Sequence, residues 1–130
     1  MDEMKILGLY DELWKPGAGK SMGSILDARG DDPLVDEAKI LAYLEAGTSL
    51  FDFMAFKRDV FGGEENIPGA GSPMTDGEWI WKRDLLYYLP VYHVLLNPDF
   101  LDHVRAIDYR MPEISDERID ELSPIVLDLV

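Results

Sequence analysis

Pro16-Gly-Ala-Gly-Lys-Ser21 has the backbone freedom and the lysine to suggest phosphate chemistry, since a glycine-rich turn ending in Lys-Ser can cradle phosphate oxygens. The phosphate-loop pattern also needs a glycine five residues before Gly19, and Trp14 stands there. The segment upstream reads as a helix where that motif requires a strand. The stretch is therefore read as a flexible linker.

His93 and His103 are the two imidazoles, with Asp99 and Asp102 close to the second. Their separation lacks the i, i+4 spacing of common helical zinc sites, and no serine stands in an evident nucleophile and base arrangement. Both are read as structural or surface residues. No catalytic, cofactor-binding or metal-binding residue is assigned, and the chain is read as a non-enzyme. An enzymatic alternative would need both imidazoles to converge with carboxylates in one pocket.

Carboxylates are the most abundant functional groups, 26 against 12 basic residues, for a net charge of -14. No third of the chain is basic: 10 acids face 5 bases through Gly47, 7 face 4 through Pro98, and 9 face 3 from Asp99 onward. Direct nucleic-acid binding needs a cationic surface and is not expected. Two acidic groups are candidate partner-binding sites: Glu64 and Glu65, and Asp116, Glu117, Asp120 and Glu121. The second group recurs at one-turn spacing and predicts a ridge on a helix. Such a ridge is either a solvated face or a surface for lysines and arginines of a basic protein.

The elements that must position these groups fit one domain over residues 1–130. Cysteine is absent, in keeping with a reducing cytoplasm, and no apolar run approaches the ~20 residues of a membrane span. Apolar spacing predicts a first amphipathic helix over Glu3 to Trp14, with Asp2 as its cap, then one or two helical turns between Ser21 and Arg29. Asp32-Pro33 predicts a helix start and Gly47 its stop. Aromatics and alternation predict a strand from Ser49 to Phe56, paired with a short strand Glu78-Trp-Ile-Trp81 beyond the Thr75-Asp-Gly turn. Gly62 to Pro73 is rich in glycine and proline and predicts an exposed loop.

Further on, a helix is expected from Arg83 or Asp84 to His93, kinked or divided by Pro90, and Asn97-Pro98 opens another through about Ala106. Ser115 with acids behind it caps a last helix that Pro124 should break. The fold class is α+β: four to six helices around a small two- or three-stranded antiparallel sheet. Trp79 and Trp81 alternate and share a face, which reads as core or as an exposed aromatic patch. Tyr87, Tyr88 and Tyr92 carry the same ambiguity.

The run Thr75-Asp-Gly-Glu-Trp-Ile-Trp81, then Asp84-Leu with Tyr87-Tyr88, Tyr92-His93-Val, and Pro98-Asp-Phe-Leu-Asp-His103 resembles a group of small bacterial proteins. Upstream, Ile40-Leu-Ala-Tyr-Leu-Glu-Ala-Gly47 fits the same pattern, so the likeness covers about residues 34–105. Proteins of this look resemble the immunity proteins that accompany bacterial polymorphic toxins. Two departures stand out: Lys82 where such proteins tend to have a proline, and Pro90 where they have none.

The resemblance implies a cytoplasmic, non-enzymatic binding protein that occludes a surface of a cognate toxin, a basic toxin domain fitting the acidic groups. No cofactor, nucleic acid or membrane partner is expected, and the chain is read as a monomer or weak homodimer. The alternative is a small structural or regulatory module that self-associates through the aromatic segment.

Overall fold

Residues 5–130 are described by a computed structural model. The Thr75-Asp-Gly turn organises its main sheet. Asp76 folds its carboxylate back to accept the amides of Glu78 (2.9 Å) and Trp79 (2.7 Å), while the Thr75 hydroxyl donates to the Trp79 carbonyl at 2.7 Å. Gly77 supplies the positive φ of 99° that the turn requires. The turn joins strand β5 (Pro73–Thr75) to β6 (Trp79–Lys82) in antiparallel register, Met74 opposite Trp81.

Two short strands complete this sheet: β1 (Lys5–Ile6), parallel to β6, and β2 (Thr48–Ser49), antiparallel to β5. The order is β1-β6-β5-β2, so the sheet is mixed and four-stranded rather than a two- or three-stranded antiparallel one. A separate hairpin pairs β3 (Phe56–Arg58) with β4 (Asn66–Pro68). Four α-helices are formed among the described residues: α1 (Glu37–Glu45), α2 (Leu85–Tyr92), α3 (Pro98–Ala106) and α4 (Asp116–Leu129). The class is α+β as expected.

Trp79, Ile80 and Trp81 are all buried, so both faces of β6 are covered. The two tryptophans meet Phe100 of α3 edge-on, with ring centroids 5.4 and 6.1 Å away, and Tyr43 of α1 lies 6.3 Å from Trp81. Such tilted aromatic pairs add to the area they bury. Gly47 stops α1 and also makes room, because a Cβ there would sit 2.5 Å from Cζ2 of Trp81. Of the two readings of the tryptophan face, core is the observed one.

Several expected elements are different in the fold. Of the helix expected over Glu3 to Trp14, the described part is not helical: Lys5 and Ile6 form a strand, the Leu7 amide bonds to the Ile80 carbonyl at 2.8 Å, and Gly8 turns the chain at φ 69°. Its apolar residues Leu7, Tyr10, Leu13 and Trp14 are buried, so their spacing records packing into the core and not a helical face. The Asp2 cap and the helix start at Glu3 lie outside the described residues. Ser21 to Arg29 makes a single 3-10 turn, Ile25–Asp27, with the Ser24 hydroxyl accepting the Leu26 amide.

α1 begins at Glu37 rather than after Pro33, and Asp36 at its head faces Arg105 and Tyr109 instead of capping. The strand expected from Ser49 to Phe56 is divided. Residues 50–55 are irregular, the Phe53 amide being held by the Ser72 hydroxyl at 2.8 Å, and β6 pairs with β5 and β1 instead. The Gly62 to Pro73 segment is only partly an exposed loop, for β4 forms within it and Ile67, Ala70, Ser72 and Pro73 are buried. Neither Pro90 nor Pro124 divides its helix.

Candidate functional site

Asp116, Glu117, Asp120 and Glu121 stand together on the first two turns of α4 and all are exposed. Sequence chemistry builds the ridge directly. The Ser115 hydroxyl caps the helix by accepting the Arg118 amide at 3.1 Å, acids in the first turn suit the positive end of the helix dipole, and Leu122 and Val126 bury the opposite side. Arg118 fixes the ridge to the sheet. Its guanidinium donates to Glu121 at 3.1 Å and to the Gly77 carbonyl at 3.1 Å. Among the described residues, Asp116, Glu117 and Asp120 form no ion pair.

Glu64 and Glu65 are also exposed, but they precede β4 in the other sheet. Among the described residues, no hydrogen bond or ion pair joins them to the α4 ridge. The fold thus gathers four of the six expected contact residues on one helix and leaves two on a separate hairpin.

Each histidine is held by its own carboxylates. His93 ends α2 in the left-handed conformation (φ 52°), and its Nδ1 lies 2.9 Å from Oε2 of Glu37, which ties α2 to the start of α1. His103 projects from α3 between Asp76 and Glu78, with Nε2 and Nδ1 each 3.1 Å from a carboxylate oxygen. Asp76 is buried and also accepts the Tyr43 hydroxyl at 2.5 Å. Burial first, and then that bond to Asp76, push the Tyr43 phenol far up. With both nitrogens of His103 engaged, the arrangement is a brace between a helix and a turn. Among the described residues, no group of three or more such side chains is placed to hold a metal ion.

The tyrosine helix serves a second brace that the sequence did not reveal. Asp59 is buried, and its carboxylate accepts the hydroxyls of Tyr87 (2.7 Å) and Tyr92 and the amide of Phe61 (2.8 Å). Burial raises its proton affinity, but the two hydroxyls and the amide outweigh it and hold the carboxyl below its usual range. Tyr88 accepts the Val60 amide at 3.1 Å, and Phe61 stacks on Tyr92 at 4.1 Å. The three tyrosines thus clamp the turn that precedes Glu64 and Glu65.

Lys82 and Asp84 are the other unexpected pair. The Lys82 ammonium is buried, donates to the Leu13 carbonyl at 2.6 Å and lies 4.6 Å from the centre of the Trp14 ring. Burial pulls its pKa down to about 8. Asp84 is 1% exposed, neither carboxylate oxygen has a hydrogen-bond partner among the described residues, and burial pushes its pKa up to about 7. The Pro16–Ser21 stretch follows a turn, so it lacks the strand that a phosphate loop needs. The helix expected before it is absent among the described residues, and the segment folds back, with the Ser21 hydroxyl on Asp11 and the Met22 amide on the Leu9 carbonyl.

Compared with protein-family models, with curated proteins and with solved structures, the chain matches none.

Proposed function

We propose that this chain is a non-enzymatic binding protein that acts in the cytoplasm as an immunity protein, neutralising a cognate bacterial toxin by occluding a basic surface of it. The α4 ridge carries this reading: four exposed carboxylates on two helical turns, three without an ion pair among the described residues, tied to the β5–β6 turn through Arg118. A preorganised charged face favours fast and selective association with a partner of opposite sign. Among the described residues no helix is long and apolar enough to cross a membrane. Self-association through Trp79 and Trp81 is the weaker reading, since both indoles are in the core.

The decisive experiment starts from the neighbouring open reading frame. Co-expression with this chain should rescue a host from its product, and the purified pair should bind. Replacing Asp116, Glu117, Asp120 and Glu121 by their amides should weaken that binding by about tenfold or more while leaving the fold intact. A non-toxic neighbour would remove the immunity reading, and undiminished binding by the amide variant would remove the ridge.

A further inference from the structure

Within the β3–β4 hairpin, the β3 edge differs in character from the acidic connection that carries Glu64 and Glu65. Lys57 and Arg58 form no ion pair among the described residues, and Arg83 beside them reaches only Asp52, at 3.9 Å, with that carboxylate largely exposed. In a chain of 26 acids, Lys57 and Arg58 are thus two exposed cations without an ion pair among the described residues. Next to them Met54 is 92% and Phe56 68% exposed, and Phe53 joins them around a groove of about 430 Å³ bordered by Pro68 and Gly69 and, on its polar side, by Ser72 and the Arg83–Asp52 pair. Lysine and arginine on an edge strand ordinarily guard against aggregation, but exposed methionine and phenylalanine work against that purpose.

The backbone of this edge is also open. The Gly69 amide bonds to the Ala55 carbonyl and the Asp59 amide to the Glu65 carbonyl, in a register that sets Phe56 opposite Pro68 and Arg58 opposite Asn66. Those two pairs are the non-hydrogen-bonded ones, which is why Pro68, lacking an N–H, fits opposite Phe56. Phe56 and Arg58 therefore direct their N–H and C=O groups away from β4.

We propose that β3 and its groove take up an extended segment of a partner protein, with an apolar side chain beside Phe56 and carboxylates beside Lys57 and Arg58. Strand addition supplies the backbone bonds, the groove the apolar contact, and the cations the selectivity. Polyanionic membranes and nucleic acids fit less well, because the net charge of -14 repels an extended anionic surface. A short segment senses only the charges within a Debye length, about 8 Å at physiological salt. This surface is independent of the α4 ridge and opposite to it in sign.

The test is an amide-resolved NMR titration of the whole chain with the blocked peptide Thr-Asp-Asp-Ile-Asp-Asp-Thr, whose charge pattern reads alike in either strand direction. Shift changes should be confined to residues 53–58, Gly69 and Arg83, with slowed hydrogen exchange at the Phe56 and Arg58 amides. The M54S/F56S variant, altered only at exposed positions, should bind about tenfold more weakly. K57E/R58E should instead prefer the peptide with Lys in place of Asp. Equal binding of the Lys peptide by the native chain, changes mapping elsewhere, or no binding would overturn the proposal. So would a dimer abolished by F56S, which assigns the edge to a second copy, or binding to phosphatidylserine vesicles lost in the same variant.

Discussion

Asp84 is 1% exposed and neither of its carboxylate oxygens has a hydrogen-bond partner among the described residues, so its ionisation bears directly on stability near neutral pH. Burial lifts its pKa to about 7 from the ordinary 3.8, against the opposing pull of Lys57 and Lys82. Between those two values the folded chain holds a proton that the unfolded chain has released, so stability falls as pH rises through this window and levels off above it. The slope approaches about 1.4 kcal/mol per pH unit. Lys82 acts in a higher window: with its pKa lowered from 10.5 to about 8, the unfolded chain binds the extra proton between those values and stability recovers as pH rises. Asp36, held at about 2 chiefly by the Arg105 guanidinium, affects only more acidic conditions. Asp84→Asn should therefore match the parent near pH 4 and be clearly more stable near pH 7 to 8. Urea denaturation across this range measures the difference directly, and parallel curves from pH 4 to 7 would exclude ionisation of Asp84 as the cause.

Elements with local signals are those the sequence makes legible. Ser115 opens α4 and Thr75-Asp-Gly makes its turn through side chains bonded to amides within a few residues, and Gly47 follows the end of α1. Pro98 also opens α3, but there the Asn97 side chain accepts the distant Gly8 amide and caps nothing. The ridge was legible for the same reason, as helical spacing alone sets 116, 117, 120 and 121 on neighbouring positions. Asp59 was not, since its tyrosine partners lie 28 and 33 residues away, and neither was Asp84, whose burial depends on tertiary packing. Over residues 5–14 the apolar spacing imitates a helical stripe because these side chains are buried on several sides. Proline is not a reliable stop here either: Pro124 is exposed within α4, where its missing N–H leaves the Asp120 carbonyl without the usual donor. Packing of Leu122 and Val126 holds the helix through it. Pro124→Ala should restore that bond and stabilise the chain by roughly 1 to 3 kcal/mol, since proline in a helix interior costs about 3. A denaturation midpoint that stays constant or falls would mean that α4 already relieves the proline locally.

For the molecule as a whole, 26 acids and 12 bases spread over every third of the chain have two effects that salt separates. Within the free protein, like charges repel across the folded surface more than in the expanded unfolded chain, so excess negative charge opposes the fold. Between the protein and the basic partner proposed for the α4 ridge, the same charge speeds encounter. Screening weakens both, because the Debye length shrinks from about 10 Å at 0.1 M salt to 3 Å at 1 M. Added sodium chloride should therefore raise the thermal midpoint of the free chain while slowing association with that partner, by about tenfold or more between low and high salt. Dissociation should change far less, since rim charges act mainly on encounter. Stopped-flow association and thermal melts in the same buffers separate the two effects. A salt-independent association rate would leave the ridge without its electrostatic role, and a midpoint that falls with salt would mean that the native ion pairs, Asp36 with Arg105 among them, outweigh the net repulsion.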